Sequence, residues 1–120
     1  MKNIFCLLII ILAVSNICYS QEDDKLFAMI YSKGKQWNES ISTSEQAYFK
    51  EHSMHLQHLR ESNKIVIGGK YSDVGFMILK TRDIKEAELI TEQDPSVING
   101  TFKVELFEFK PFYKGCIGEL

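Results

Sequence analysis

"EHSMHLQHLRESNKIVIGG", Glu51 to Gly69, changes its period halfway along. In the first half His52, His55, Leu56 and Leu59 recur at helical spacing, with Tyr48 one turn upstream, so they share one helix face. In the second half "KIVIGG", Lys64 to Gly69, is a short apolar run closed by glycine, the signature of a strand. Asn63 between them suits the left-handed conformation that ends helices. A helix that turns at once into a strand is one piece of an alternating α/β pattern, and the flanking segments decide which.

Upstream, the helix extends back through "STSEQAYFK" to Ser42, where Thr43 with Gln46, or Ser42 with Glu45, has capping-box spacing. Before it, "KLFAMIYS" (Lys25 to Ser32) is an apolar run bounded by charge and reads as the first strand. Downstream, "DVGFMILKT" (Asp73 to Thr81) is the third strand. Asp83 caps a second helix, Asp83 to Gln93, whose apolar face is Ile84, Ala87 and Ile90 or Leu89. Asp94-Pro95 stops that helix, because the residue before proline is pushed out of the helical region. "TFKVELFEFKPF" (Thr101 to Phe112) is the fourth strand. The order is β-α-β-β-α-β, which predicts an α+β, ferredoxin-like fold. Its four-stranded antiparallel sheet carries two helices on one face.

The strands carry a second message. A sheet with one wet face alternates apolar and polar residues. "LFAMIY", "IVI" and "FMIL" do not alternate, so both sheet faces want to be dry. Two helices cover only one. The expected cover for the other is a second copy of the chain, since an exposed sheet face is a larger apolar patch than monomers usually carry. The alternative is that the tail "PFYKGCIGEL" folds back over it. Pairing is expected to enclose any pocket the domain holds.

The ends and the composition bound the function. The chain has 120 residues, enough for one domain, with 45% apolar and 25% charged residues and a net charge of −2. That balance argues against a nucleic-acid surface. "MKN", then "IFCLLIIILAV", then "SNICYSQEDD" has the order of a secretory signal peptide, residues 1–20, cleaved after Ser20. A lipoprotein signal on Cys18 is the alternative, although Asn16 and Ile17 stand where small residues are expected. Residues 21–120 then form a single secreted or periplasmic domain, with no membrane contact after cleavage. Cys116 would be its lone cysteine, unable to make an internal disulfide. Two sequons, at Asn38 and Asn99, have the frequency expected by chance.

All three histidines lie in the opening stretch. His52 and His55 are close enough on a helix to share an ion, but His58 is rotated aside. No cysteine or HExxH motif joins them, so neither a metal nor a cofactor is expected. His52 instead faces inward and needs a partner. Asp94, at the end of the neighbouring helix, is the candidate. Two readings stand side by side. In one, Asp94 orients His52 for proton transfer. In the other, the pair only stitches two helices together.

"FAMIYS", the histidine helix with its "KIVIGG" strand, Asp94-Pro95, Gly100 and "VELFEFKPF" resemble the YCII-related family, in order and at matching spacing, over about Leu26 to Tyr113. The resemblance implies a dimeric α/β barrel and a site built on a histidine and an aspartate, falling here on His52 and Asp94. His55 and His58 have no counterpart in it. The chain departs from the family pattern at Asn63, where glycine is frequent, at Lys70, where proline is common, and at Ser96, where an aromatic is common. Most members of the family have no assigned reaction. The sequence therefore leads to an exported acid–base enzyme working by elimination or isomerisation on a small molecule. The alternative is a non-catalytic small-ligand-binding or structural homodimer.

Overall fold

The computed structural model describes residues 23–113 and Gly115; the expected signal peptide and Cys116 lie outside them. Four strands form one antiparallel sheet in the order β2-β3-β1-β4. They are β1 (Lys25–Lys33), β2 (Ile65–Tyr71), β3 (Val74–Thr81) and β4 (Phe102–Glu108). The helices are α1 (Phe49–Glu61), α2 (Ile84–Glu92) and a short α3 (Pro95–Asn99). The fold is α+β and ferredoxin-like, as the alternation of periods predicts.

Register divides the sheet into two faces. Phe27, Met29 and Tyr31 of β1 pair with Leu79, Met77 and Gly75 of β3, and Met29 and Tyr31 pair with Leu106 and Val104 of β4. These side chains meet Leu59 of α1, Ala87 and Ile90 of α2 and Val97 of α3 in one core. The opposite face carries Ala28, Ile30, Phe76 and Ile78 in the middle, as the unalternating strands require. On β4, however, that face carries Lys103 and Glu105 beside Phe107, so it is drier over the two central strands than at this edge.

Three local structures differ from their sequence reading. Ser42 and Glu45 cap only a single 3₁₀ turn, Thr43–Glu45. The Glu45 carboxylate accepts the Ser42 amide at 3.0 Å. The chain then breaks at Tyr48, whose φ is +61°, and α1 starts at Phe49. The break follows from Gln46, whose buried side chain accepts the Asn38 amide (2.9 Å) and donates to the Asn38 carbonyl (2.7 Å). The long β1–α1 connection is thereby tied to itself instead of joining the helix. The second difference is on α2, where Ala87, Ile90 and Thr91 face inward while Ile84 and Leu89 are exposed. The third is α3. Asp94-Pro95 ends one helix and opens another: Asp94 caps it through the Ser96 amide and Pro95 takes its first turn.

The end of α1 is as expected. Asn63 is left-handed at φ +56°. The Lys64 amide donates to the Leu59 carbonyl (2.8 Å) and the Asn63 amide to that of Arg60 (3.0 Å). This is the Schellman pair of bonds, and it delivers the chain directly into β2.

Candidate active site

α1 presents His52, Leu56 and Arg60 at four-residue spacing, one ridge about 12 Å long. All three line a cavity of about 400 Å³ between this ridge and the sheet. Tyr31, Met77 and Gly75, from the core face of the sheet, and Phe102, at the start of β4, complete the wall around His52. The cavity therefore lies in the layer between sheet and helices. The lining named here comes from the helix-bearing side of one copy of the chain.

His52 is buried and meets Asp94, as the two inward-facing positions require: Nδ1 lies 2.6 Å from Oδ2. Asp94 is fully buried. Oδ2 also accepts the Tyr31 hydroxyl at 3.0 Å. Oδ1 accepts the Ser96 amide (2.9 Å) and the Ser96 hydroxyl (2.7 Å). Four donors from β1, α1 and the start of α3 thus converge on one carboxylate. Phe102 stacks at a tilt on the imidazole (4.8 Å between centroids) and Tyr31 meets it edge-on (4.9 Å).

Burial pushes the Asp94 carboxyl up. The hydrogen bonds from His52 and Ser96, joined by the positive charge of the ring whenever it is protonated, outweigh it and hold the group down at about 2. Burial, then the negative charge of Asp94 and its hydrogen bond, push the Tyr31 phenol well above its ordinary range, so it stays a donor. An ionised carboxylate only accepts. The His52 proton on Nδ1 is therefore fixed towards Asp94. Among the described residues Nε2 has no hydrogen-bond partner, and no buried side-chain nitrogen or oxygen is left unpaired. The free nitrogen accordingly reaches the cavity that His52 lines.

The other two histidines do not join this cluster. His55 Nε2 lies 2.9 Å from the Ile90 carbonyl and links α1 to α2. His58 is exposed beside Glu61. Among the described residues no three of His, Cys, Asp and Glu come together. Sequence spacing pointed to His52 and Asp94 but missed Tyr31 and Ser96. Tyr31 sits in a run that reads as plain core. Ser96 had a signal: it is one of the three departures from the family pattern, and here its small polar side chain adds a hydrogen bond to the carboxylate.

The family model described as YCII-related domain matches residues 26–110. The chain matches no curated protein and no solved structure.

Proposed function

The chain belongs to the YCII-related family, within the dimeric α/β barrel superfamily, and from that premise we propose that it is an acid–base enzyme acting on a small molecule. His52 Nε2 is the proton acceptor and donor, and Asp94 is the residue that positions it. The observation that carries this reading is the free Nε2 at the cavity wall, opposite an Nδ1 locked to a buried carboxylate. A stitch between helices needs no cavity at its unpaired nitrogen.

The chemistry follows from that geometry. Nε2 takes a proton from a carbon beside a carbonyl, and the electron pair left behind is held as an enolate. The imidazolium so formed keeps its Nδ1–H on Asp94, whose negative charge stabilises it. In an isomerisation the same proton returns to another carbon of the substrate. In an elimination the electron pair expels an anionic leaving group, and the proton passes to solvent. Tyr31 and Ser96 act through Asp94, holding the carboxylate that holds the base.

The test is proton exchange. Small cyclic and aromatic ketones and keto acids are incubated with the protein in deuterated water, and loss of the proton beside the carbonyl is followed by NMR. Exchange should be accelerated, and His52→Gln should lower the acceleration about a hundredfold or more while the melting temperature stays within a few degrees. If no compound exchanges faster with the wild-type protein than with His52→Gln, the acid–base reading is wrong. The cavity then supports the binding-protein alternative, with the His–Asp pair as a polar anchor.

We also propose export and self-association. The order of charged, apolar and small residues over 1–20 supports a cleaved signal peptide. N-terminal sequencing of protein secreted to the periplasm or medium should begin at Gln21. The apolar face of the sheet supports a homodimer.

A further inference from the structure

The cavity lining is aromatic, aliphatic and cationic in turn. His52, Phe102 and Trp37 form an aromatic end, with Trp37 tilted on Phe102 at 5.5 Å. Leu56, Ile65 and Met77 add aliphatic lining. Three cations, Lys33, Arg60 and Lys70, also line the cavity, with Asp73 as the single carboxylate. Lys33 is held by Glu39 at 2.8 Å. Arg60 and Lys70 have no carboxylate within ion-pair distance among the described residues. The cavity lining thus carries more positive than negative side chains, on a chain whose net charge is −2. The ridge geometry sets the spacing, since Arg60 follows His52 by two four-residue steps, about 12 Å along α1.

The space itself comes from a glycine. Gly75 lies on the core face of β3, paired with Tyr31 on one side and Lys70 on the other. It is not among the residues of positive φ, so its backbone does not require glycine. A Cβ built there would meet only the Tyr31 Cβ, at 3.5 Å, an ordinary contact. Glycine inside a strand is unfavourable to sheet formation. What it leaves is an empty side-chain place beside the residue that bonds Asp94.

We propose that this cavity takes a small, flat organic anion, an aromatic or unsaturated carboxylate, in the place that Gly75 leaves open. Its apolar body lies against Phe102 and Trp37, and its carboxylate lies towards Arg60 and Lys70. The assignment rests on the acid–base reading of the same cavity and adds the class of molecule that reaches His52. The carboxylate anchors one end, and the reacting carbon is presented to Nε2 at the other. A negative charge suits this lining, because the charge of Asp73 acts on Lys33 and leaves Arg60 and Lys70 without a carboxylate at ion-pair distance among the described residues.

Binding of trans-cinnamate and of its neutral amide, cinnamamide, to the protein separates charge from shape. At low salt the acid should bind roughly threefold to tenfold more tightly than the amide, as two exposed cations allow. The preference should shrink as salt is added. In the double variant Arg60→Gln, Lys70→Gln the acid should fall to the level of the amide, whose own affinity stays put. Gly75→Val should abolish binding of both while leaving the melting temperature unchanged or higher. Equal binding of acid and amide, binding of neither, a preference that survives the double variant, or full binding by Gly75→Val would each overturn the assignment. The two readings fail separately. A carboxylate preference without His52-dependent proton exchange supports the anion site and removes the acid–base chemistry. His52-dependent exchange that runs equally well on neutral and anionic ketones does the reverse.

Discussion

The Asp94 carboxylate accepts hydrogen bonds from Tyr31, His52 and both the amide and the hydroxyl of Ser96, and it reaches no solvent. Its substitution by asparagine keeps the shape and puts an N–H₂ group among donors. Asp94→Asn is expected to cost about 1–3 kcal/mol, the range for leaving buried polar groups unpaired, and to move the His52 proton from Nδ1 to Nε2. Chemical denaturation reads the first effect and ¹⁵N NMR of the imidazole the second; an unchanged tautomer would remove Asp94 as the positioning residue. The acid limb of stability follows from the same carboxylate. Its value drops from an ordinary 3.8 to about 2 on folding, so the folded protein binds the proton more weakly than the unfolded chain. The stabilisation is complete above about pH 4 and is lost as pH falls from there to about 2, amounting to about 2 kcal/mol. Glu86, held down to about 2 by hydrogen bonds from Lys64 and the Arg82 amide, titrates over the same window. Stability measured between pH 5 and pH 2 should therefore fall less in Asp94→Asn than in the wild type, and less again when Glu86→Gln is added. At this scale the sequence carried the His52–Asp94 pair, because helical spacing turned His52 inward and Asp94-Pro95 marked the end of the adjoining helix. It did not carry Tyr31 or Ser96 as donors. Spacing along one element says which way a side chain points and nothing about which other elements converge on it.

Elements were legible where their signals were local. The Schellman turn at Asn63 and the cap at Asp83 are read from single residues, and both stand as expected. The start of α1 was not, because a capping box names a helical turn without saying how long it continues. Gln46, four residues on, binds the preceding loop and stops the first turn. α3 was missed for a related reason: proline forbids continuation of one helix and favours the first turn of the next. Its other end fixes the entry to β4 and hence Phe102. Gly100 closes α3 at φ +85°. The Gln36 amide donates to the Gly100 carbonyl (2.9 Å) and the Gly34 amide to that of Thr101 (2.9 Å). A Cβ on Gly34 would lie 2.1 Å from the Gly100 carbonyl oxygen, so backbone must move. Gly100→Ala should cost about 1–2 kcal/mol, the penalty for a left-handed alanine. Gly34→Ala should cost more, about 3 kcal/mol or above, and should also disturb the ring contact between Phe102 and His52. Thermal denaturation of the two variants orders them; a Gly34→Ala protein as stable as the wild type would mean that this loop does not brace α3.

In the whole molecule, one sequence produces two apolar sheet faces and helices for only one of them. The unalternating strands make this legible in the residues alone. They do not say on which side the cavity lies, because a face is defined only once register is known. Tyr31, Gly75 and Met77 belong to the helix side, while Ile30, Phe76 and Ile78 belong to the other. Self-association through the second face and ligand binding in the first layer should therefore be separable. Phe107 and Tyr71, both more than half exposed, flank that second face without filling the monomer core, so charging them leaves the fold intact. Each large apolar side chain buried between two copies contributes about 1.5–3 kcal/mol, and an isologous contact counts every substitution twice. Phe107→Glu should thus weaken dimerisation by about a hundredfold or more, seen by sedimentation equilibrium as a shift from two copies to one. The cinnamate affinity of the same variant should not change, since the strand side chains that line the cavity belong to the helix side and only Gly69, which has no side chain, shares the row of Phe76. A wild-type protein that stays monomeric at high concentration would show that the second face is covered within one chain. A Phe107→Glu monomer that has lost the ligand would instead show that the cavity depends on the partner after all, through a distortion of the sheet that both layers share.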